Sequence, residues 1–311
     1  MARRWTAPAP GTPDQYELVE AGTPAPGPGE VTLRIVAAGV NPVDLVPTTG
    51  ADPAHFPALV GQEAAGVVTA VGEGALAVSG PVAVGDEVIV YRPLQGSWAQ
   101  EMTVPGDALV HKPENLDFPA AANLLAAGTT AAEALHVIGA GPGDVILVHG
   151  ASGAVGVSLI QQAAVVGATV IGTASEENAG LLARFGAKHV AYGDGLAGRV
   201  RALAPEGITA AVDCVGTDEA VDTSIDLLGG TDRFLTIAAF PRAVTEPLPF
   251  IAGNMPDSAA YRSAARLRLV ELAAEGGLEV PVGRTFPFEQ APDAIALLAT
   301  GHPGGKIALV V

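Results

Sequence analysis

The chain has 311 residues, enough for two domains with separate cores, and 49% of it is apolar while only 5% is aromatic. Acidic residues outnumber basic ones 33 to 16, and a net charge of −17 repels phosphate backbones and anionic lipid, which argues against nucleic-acid and membrane partners. The single cysteine, Cys214, excludes an intramolecular disulfide and any multi-cysteine zinc site, in keeping with a reducing cytoplasm.

MARRWTAPAPG opens with two arginines, but no continuous apolar segment follows, so no signal peptide is expected. The longest apolar stretches are interrupted by Asn123, Glu133, Gln161 and Gln162, so no membrane span is expected either. GTPAPGPGE, Gly22 to Glu30, reads as a surface connection. Up to about residue 120, β-rich runs such as VTLRIVAAG, AAGVVTAVG, DEVIVY and SWAQEMTV are bounded by Gly, Pro or Asp and predict a mostly β domain over 1–121.

Around Pro119 the pattern turns helical in PAAANLLAAGTTAAEALHVIG. Strand and helix then alternate: VILVHG, AVGVSLIQQAAVVG, ATVIGTA, EENAGLLARFG, KHVAY, RVRALA, AAVDCVG, DEAVDTSIDLLG and RFLTIAAF. Strands spaced by helices of this length predict a doubly wound parallel sheet over 122–254, and so an α/β fold class. The remainder, 255–311, reads as helix YRSAARLRLVELAAEGG, strand RTFPF, helix EQAPDAIALLATG and strand KIALVV.

The unit Val145 to Ser175 contains Ala151-x-Gly153-x-x-Gly156 between a predicted strand and helix. The small first residue permits a tight turn, Gly153 lets backbone approach a pyrophosphate, and Gly156 lets the helix pack on the sheet. Backbone N–H groups at the helix start then receive the anion. A serine-hydrolase elbow beginning Gly150-Ala151-Ser152 fails at Ala154, where a second glycine is required. An NAD site places a carboxylate at the end of the second strand, but Gly172-Thr173-Ala174-Ser175 has none, which favours NADPH over NADH. Against this, no basic residue follows at once, and Glu176 and Glu177 disfavour a 2′-phosphate if they point inward.

AAGVNPVDL (37–45), GQEAAGVVTAVG (61–72), VGDEVIVY (84–91), AAGTTAAEAL (126–135), HGASGAVG, AVDCVG and the terminal GGKIALVV occur in this order. With them the chain resembles the medium-chain dehydrogenase/reductase superfamily, in its zinc-free quinone oxidoreductase (zeta-crystallin-like) branch. The resemblance implies a GroES-like mostly β domain, a Rossmann domain and a C-terminal return to the first domain. It implies Ser152, Ala154 and Val155 along the pyrophosphate, and Ser175, Asn178 and Tyr192 around the adenosine 2′-phosphate, with Asn178 where the branch commonly has lysine. Thr130, Val215, Gly216, Ala238 and Phe240 are implied on the nicotinamide side, Asn41 beside that ring, and Gly305 and Lys306 in a loop closing on the cofactor. A homodimer is implied by analogy.

Zinc-dependent relatives carry Cys near Asn41, His at Gln62 and a four-cysteine lobe. Asn and Gln supply neither thiolate nor imidazole, so no metal is expected; Glu63 is expected to pack or hydrogen-bond. Without zinc the chemistry suits acceptors that already take hydride, quinones and α,β-unsaturated carbonyls. The branch's D-x-Y-x-R-x-G is replaced by Asp44-Leu45-Val46-Pro47-Thr48-Thr49-Gly50, which loses the ring and the arginine and puts the acceptor in question. Thr48, Gln62 and Tyr91 are candidate replacement donors, and Asp44 is expected to orient backbone. The alternative is a cofactor-binding protein or specialised pathway enzyme on this fold without such turnover. The six histidines show no i, i+4 metal spacing, and His149 and Cys214 read as structural.

Overall fold

Alternating apolar residues in EVTLRIVAAGV form the longest strand of the first unit, Glu30–Val40. The computed structural model describes residues 1–46, 51–91, 95–301 and 304–311, and these divide into two units. The first comprises 1–126, 266–276 and 280–311; the second comprises 127–265 and 277–279.

The main sheet of the first unit runs in the order Leu109–His111, Glu87–Tyr91, Glu63–Val71, Glu30–Val40, Lys306–Val310 and Val282–Pro287; Glu101–Pro105 also pairs with Glu30–Val40. A smaller sheet joins Glu17–Ala21, Ala2–Ala7 and Ala58–Leu59. Their shared core contains Leu33, Ile35, Val68, Trp98, Leu109, Phe288 and Leu309. Register decides what this sheet brings together. Ile307 pairs with Val40, so Lys306 and Asn41, each one residue outside that pairing, emerge at the same end of the sheet. Glu63 pairs with Tyr91 at the edge of the neighbouring ladder.

SWAQEMTV is a strand only from Glu101. Ahead of it, Trp98 N–H donates to the Val60 carbonyl at 3.1 Å and Gln100 N–H to Arg3 at 2.9 Å, so these residues bond other segments. The Trp98 indole also donates to the Gly39 carbonyl at 3.0 Å, fixing the ring in the core.

The second unit holds a five-stranded, all-parallel sheet in the order Lys188–Val190, Thr169–Thr173, Val145–His149, Ala210–Asp213, Phe234–Thr236. Alternate residues of the same strands feed two cores: Ile146, Val148, Val170 and Val212 pack into one, Leu147, Ile171, Ala211 and Phe234 into the other. Both faces are therefore buried, as a doubly wound sheet requires. RFLTIAAF stops being a strand after Thr236, because the Thr236 hydroxyl oxygen accepts the N–H groups of Ala238 and Ala239 at 3.1 and 2.8 Å. A helix, Phe240–Thr245, starts there instead. Among the described residues no helix is long and apolar enough to cross a membrane.

Candidate functional site

In the second unit the strand Val145–His149 ends in a turn, and the Ala154–Val165 helix follows with Gly153 as its N-cap. Gly150 adopts a φ of +69°, a conformation that costs a side chain strain. A Cβ on Gly156 would stand 2.5 Å from the Gly150 carbonyl oxygen and 2.6 Å from the Ala151 Cα, so only glycine lets the helix approach the turn this closely. Ala151 is buried, Ser152 half-buried and Gly153 exposed. The N–H groups of Ala154, Val155 and Gly156 belong to the first helical turn and have no intrahelical acceptor, which makes this a backbone cradle for an anion.

One strand over, Ser175 follows the Thr169–Thr173 strand, and its hydroxyl accepts the Asn178 amide at 2.9 Å. Glu176 and Glu177 are exposed, and Tyr192 is 55% exposed. On the other side, a single carboxylate organises two loops. Asp213 Oδ1 accepts the N–H groups of Val215 and Gly216, both at 2.9 Å, and Oδ2 accepts the Thr236 hydroxyl at 2.7 Å. Thr236 in turn holds Ala238 and Ala239. Val215 and Phe240 stay 50% and 40% exposed beyond these ties. Thr130 is buried in the Leu125–Val137 helix. Burial and the Asp213 carboxylate raise the Cys214 thiol, which keeps it protonated and unreactive.

The first unit carries a buried polar cluster. Lys306 Nζ donates to Asn41 Oδ1 at 2.5 Å and to Glu63 Oε1 at 3.1 Å. Asn41 Nδ2 donates to the same Glu63 oxygen at 3.0 Å, and Glu63 Oε2 accepts the Ala126 N–H at 2.8 Å. The ammonium fixes which end of the Asn41 amide is oxygen. Asp44 Oδ2 accepts the Asn41 N–H at 2.8 Å. Burial pushes the Asp44 carboxyl up to about 7, against the Asn41 hydrogen bond and the Lys306 charge. Gly39 makes room for this cluster, since a Cβ there would lie 2.6 Å from the Ala122 carbonyl and 2.8 Å from Glu63.

The alcohol dehydrogenase GroES-like domain family matches residues 27–114, and the zinc-binding dehydrogenase family matches residues 185–309. A 2-haloacrylate reductase from Burkholderia sp is 35% identical over 326 residues, covering 96% of each chain. The crystal structure of a quinone oxidoreductase from Pseudomonas syringae pv. tomato superposes with a TM-score of 0.83 at 28% identity, covering 100% of both chains. The chain belongs to the medium-chain dehydrogenase/reductase superfamily, in its quinone oxidoreductase branch. A mycobacterial member complexed with NADPH superposes with a TM-score of 0.82 at 27% identity, covering 100% of both chains. As a member of this branch the chain is an oxidoreductase.

The medium-chain dehydrogenase/reductase motifs read from sequence fall into two groups in the fold. Residues 151–156, Ser175, Asn178, Val215, Gly216 and Ala238 all follow the C-terminal ends of parallel strands, where doubly wound sheets bind ligands. Asn41 and Lys306 meet directly. Gly305, beside Lys306, has φ +145°, and a Cβ there would come within 2.7 Å of Gly283 N and the Pro281 carbonyl, so its glycine shapes the strand pairing. Gln62 is half-buried, and Tyr91 is buried with its carbonyl accepting from Arg266 at 3.0 Å. Thr48 and His302 lie outside the described residues.

Sequence reasoning missed three things: that Glu63, expected to pack or hydrogen-bond, is shared by Asn41 and Lys306; that Asp213 with Thr236 ties two loops; and that Thr173 accepts the Gly150 and Ala151 N–H groups of the glycine turn. The signal for the second was the position of Asp213 at the very end of a parallel strand, two residues before Val215.

Proposed function

We propose that the chain is an NADPH-dependent, zinc-independent reductase that delivers hydride to a quinone or an α,β-unsaturated carbonyl. The observation that carries this reading is the cradle at residues 150–156, where a Cβ on Gly156 would fill the space that the turn and helix leave. When bound, the nicotinamide supplies the hydride. The N–H groups of Ala154, Val155 and Gly156 receive the pyrophosphate, and the loops held by Asp213 and Thr236 present Val215, Gly216, Ala238 and Phe240 to the ring. Thr130 is assigned to the same side.

Asn41 is the proposed hydrogen-bond donor of the first unit. Lys306 and Glu63 engage its Oδ1 and one Nδ2 hydrogen, leaving the second Nδ2 hydrogen in a fixed orientation for an acceptor oxygen on which charge develops. Gln62, Tyr91 and Thr48 are proposed as further donors, with the product proton coming from solvent or a hydroxyl.

Zinc does not fit the residues present. Asn41 and Gln62 provide neither thiolate nor imidazole, and the Glu63 oxygen that faces Asn41 already accepts an ammonium, whose charge opposes a second cation. NADPH is favoured by the absence of a carboxylate on Ser175 and its predecessor Ala174, and by the relative complexed with NADPH. Small-molecule acceptors, a cytoplasmic location and a homodimer complete the proposal, the last on family analogy alone.

The exposed Val46, standing where the branch has an aromatic ring, favours a second reading: cofactor binding without quinone or enone turnover. Fluorescence titration with NADPH and NADH, followed by NADPH oxidation against a panel of enones and quinones, separates the two. Tighter NADPH binding with turnover of one acceptor class is expected. Binding without turnover supports the second reading, and alcohol oxidation abolished by a chelator contradicts the first.

A further inference from the structure

His149 closes the first strand of the parallel sheet, immediately before Gly150, and its imidazole is buried. In register it lies between Thr173 and Asp213, at the C-terminal edge of three adjacent strands. Its Nε2 is 3.0 Å from the Ser224 hydroxyl, and its Nδ1 is 3.3 Å from the Thr173 hydroxyl. The proposed hydride transfer gives this imidazole no part in binding or chemistry.

The ends of this chain of contacts fix its direction. The Ser224 hydroxyl donates to the Ala220 carbonyl at 2.7 Å, and a carbonyl only accepts. With its one hydrogen committed there, Ser224 must accept at the histidine, so Nε2 carries the proton. Burial pushes the imidazole down to about 4, partly offset by the Asp213 carboxylate, so at neutral pH Nδ1 holds a lone pair. Thr173 therefore donates to Nδ1. The same Thr173 oxygen accepts the Gly150 N–H at 3.3 Å, and the Thr173 carbonyl accepts the Ala151 N–H at 3.0 Å. The direction thus runs without conflict from Gly150 N–H through Thr173, His149 and Ser224 to Ala220.

We propose that His149 is a positioning residue for the dinucleotide: its Nε2–H tautomer orients the Thr173 hydroxyl, which holds Gly150 and so fixes the turn on which the pyrophosphate rests. This role rests on the dinucleotide reading above. It ties the helix that carries Ser224, Asp218–Leu228, to the phosphate turn through one ring. A ring of the other tautomer would set two lone pairs against each other at Ser224, whose one hydrogen is committed to Ala220.

The test uses the full chain and two probes: NADPH, and adenosine 2′-monophosphate, which has no pyrophosphate. His149→Leu and Thr173→Val are each expected to raise the NADPH Kd about tenfold, the loss of one well-placed hydrogen bond, and to leave the nucleoside monophosphate unaffected. Thr173→Ser is expected to retain wild-type NADPH affinity, and the double variant to be no weaker than either single one. Two-bond 15N–1H correlation spectra are expected to show the Nε2–H tautomer. Wild-type NADPH affinity in both single variants, equal losses for the two probes, or an Nδ1–H spectrum overturns the role of His149 while the cofactor reading stands. A wild-type protein that binds no nicotinamide nucleotide overturns both. Thr173→Val and the spectra decide the matter if His149→Leu fails to fold.

Discussion

Lys306 Nζ stands 3.1 Å from Glu63 Oε1, an ion pair between two side chains of which only 6% and 0% are exposed. The pair exists because the C-terminal strand returns to Glu30–Val40 and places Lys306 where Asn41 leaves the same ladder. Removing one charge strands the other in the interior, which is far costlier than losing an exposed pair. Lys306→Met is therefore expected to destabilise the protein by about 3–5 kcal/mol in urea unfolding. The double variant Lys306→Met, Glu63→Gln is expected to recover part of that loss, and strict additivity of the two single effects counts against the pair.

The glycines make opposite predictions at two positions. Gly156→Ala pushes a Cβ into backbone at 2.5 Å and is expected to cost about 1–3 kcal/mol and weaken NADPH binding at least tenfold. Gly180 lies in the Ala179–Arg184 helix with nothing within 4 Å of its added Cβ, so Gly180→Ala is expected to stabilise by about 0.5–1 kcal/mol. Thermal unfolding and NADPH titration of both variants check the contrast.

Two buried groups give opposing pH slopes. Asp44 is raised from 3.8 to about 7, so the folded state keeps a proton that the unfolded state has released, and stability falls as pH rises through that interval. His149 is lowered from 6.5 to about 4, so the unfolded state holds the extra proton, and its contribution rises with pH between those values. Each slope is on the order of 1.4 kcal/mol per pH unit, and between about pH 4.5 and 6.5 they oppose. Asp44→Asn keeps an acceptor for the Asn41 N–H and removes the falling slope. Its stability is expected to climb relative to wild type from pH 4.5 to 6.5; parallel urea-unfolding curves against pH contradict this.

Asn178 donates to Ser175 where a lysine would present an ammonium to a 2′-phosphate. Asn178→Lys is expected to tighten NADPH about tenfold and leave NADH unchanged, measured by fluorescence titration. An equal change for both cofactors places the adenosine phosphate elsewhere.

The parallel sheet and the glycine turn were legible because they rest on local signals: apolar runs at regular spacing and small residues at a strand–helix junction. The strand ends were less so. RFLTIAAF is apolar after Arg233 except at Thr236, and only the tertiary pairing of Asp213 with Thr236 reveals why it turns there. The Asn41–Glu63–Lys306 cluster was illegible for a related reason. Its members are spread from residue 41 to residue 306, and their meeting depends on strand register, to which composition and spacing are blind. Lys306 was legible as a family position and Glu63 as a hydrogen-bonding residue; that the two meet was not.

In the proposed reaction hydride passes directly from a nicotinamide to an activated acceptor with no metal. The decisive measurement follows NADPH deuterated at C4, in separate 4R and 4S forms, through turnover of an enone by chelator-treated protein. Direct transfer without metal gives full activity and deuterium on the β-carbon of the product from one of the two forms. Deuterium in neither product, or activity lost to the chelator and restored by zinc, would contradict it.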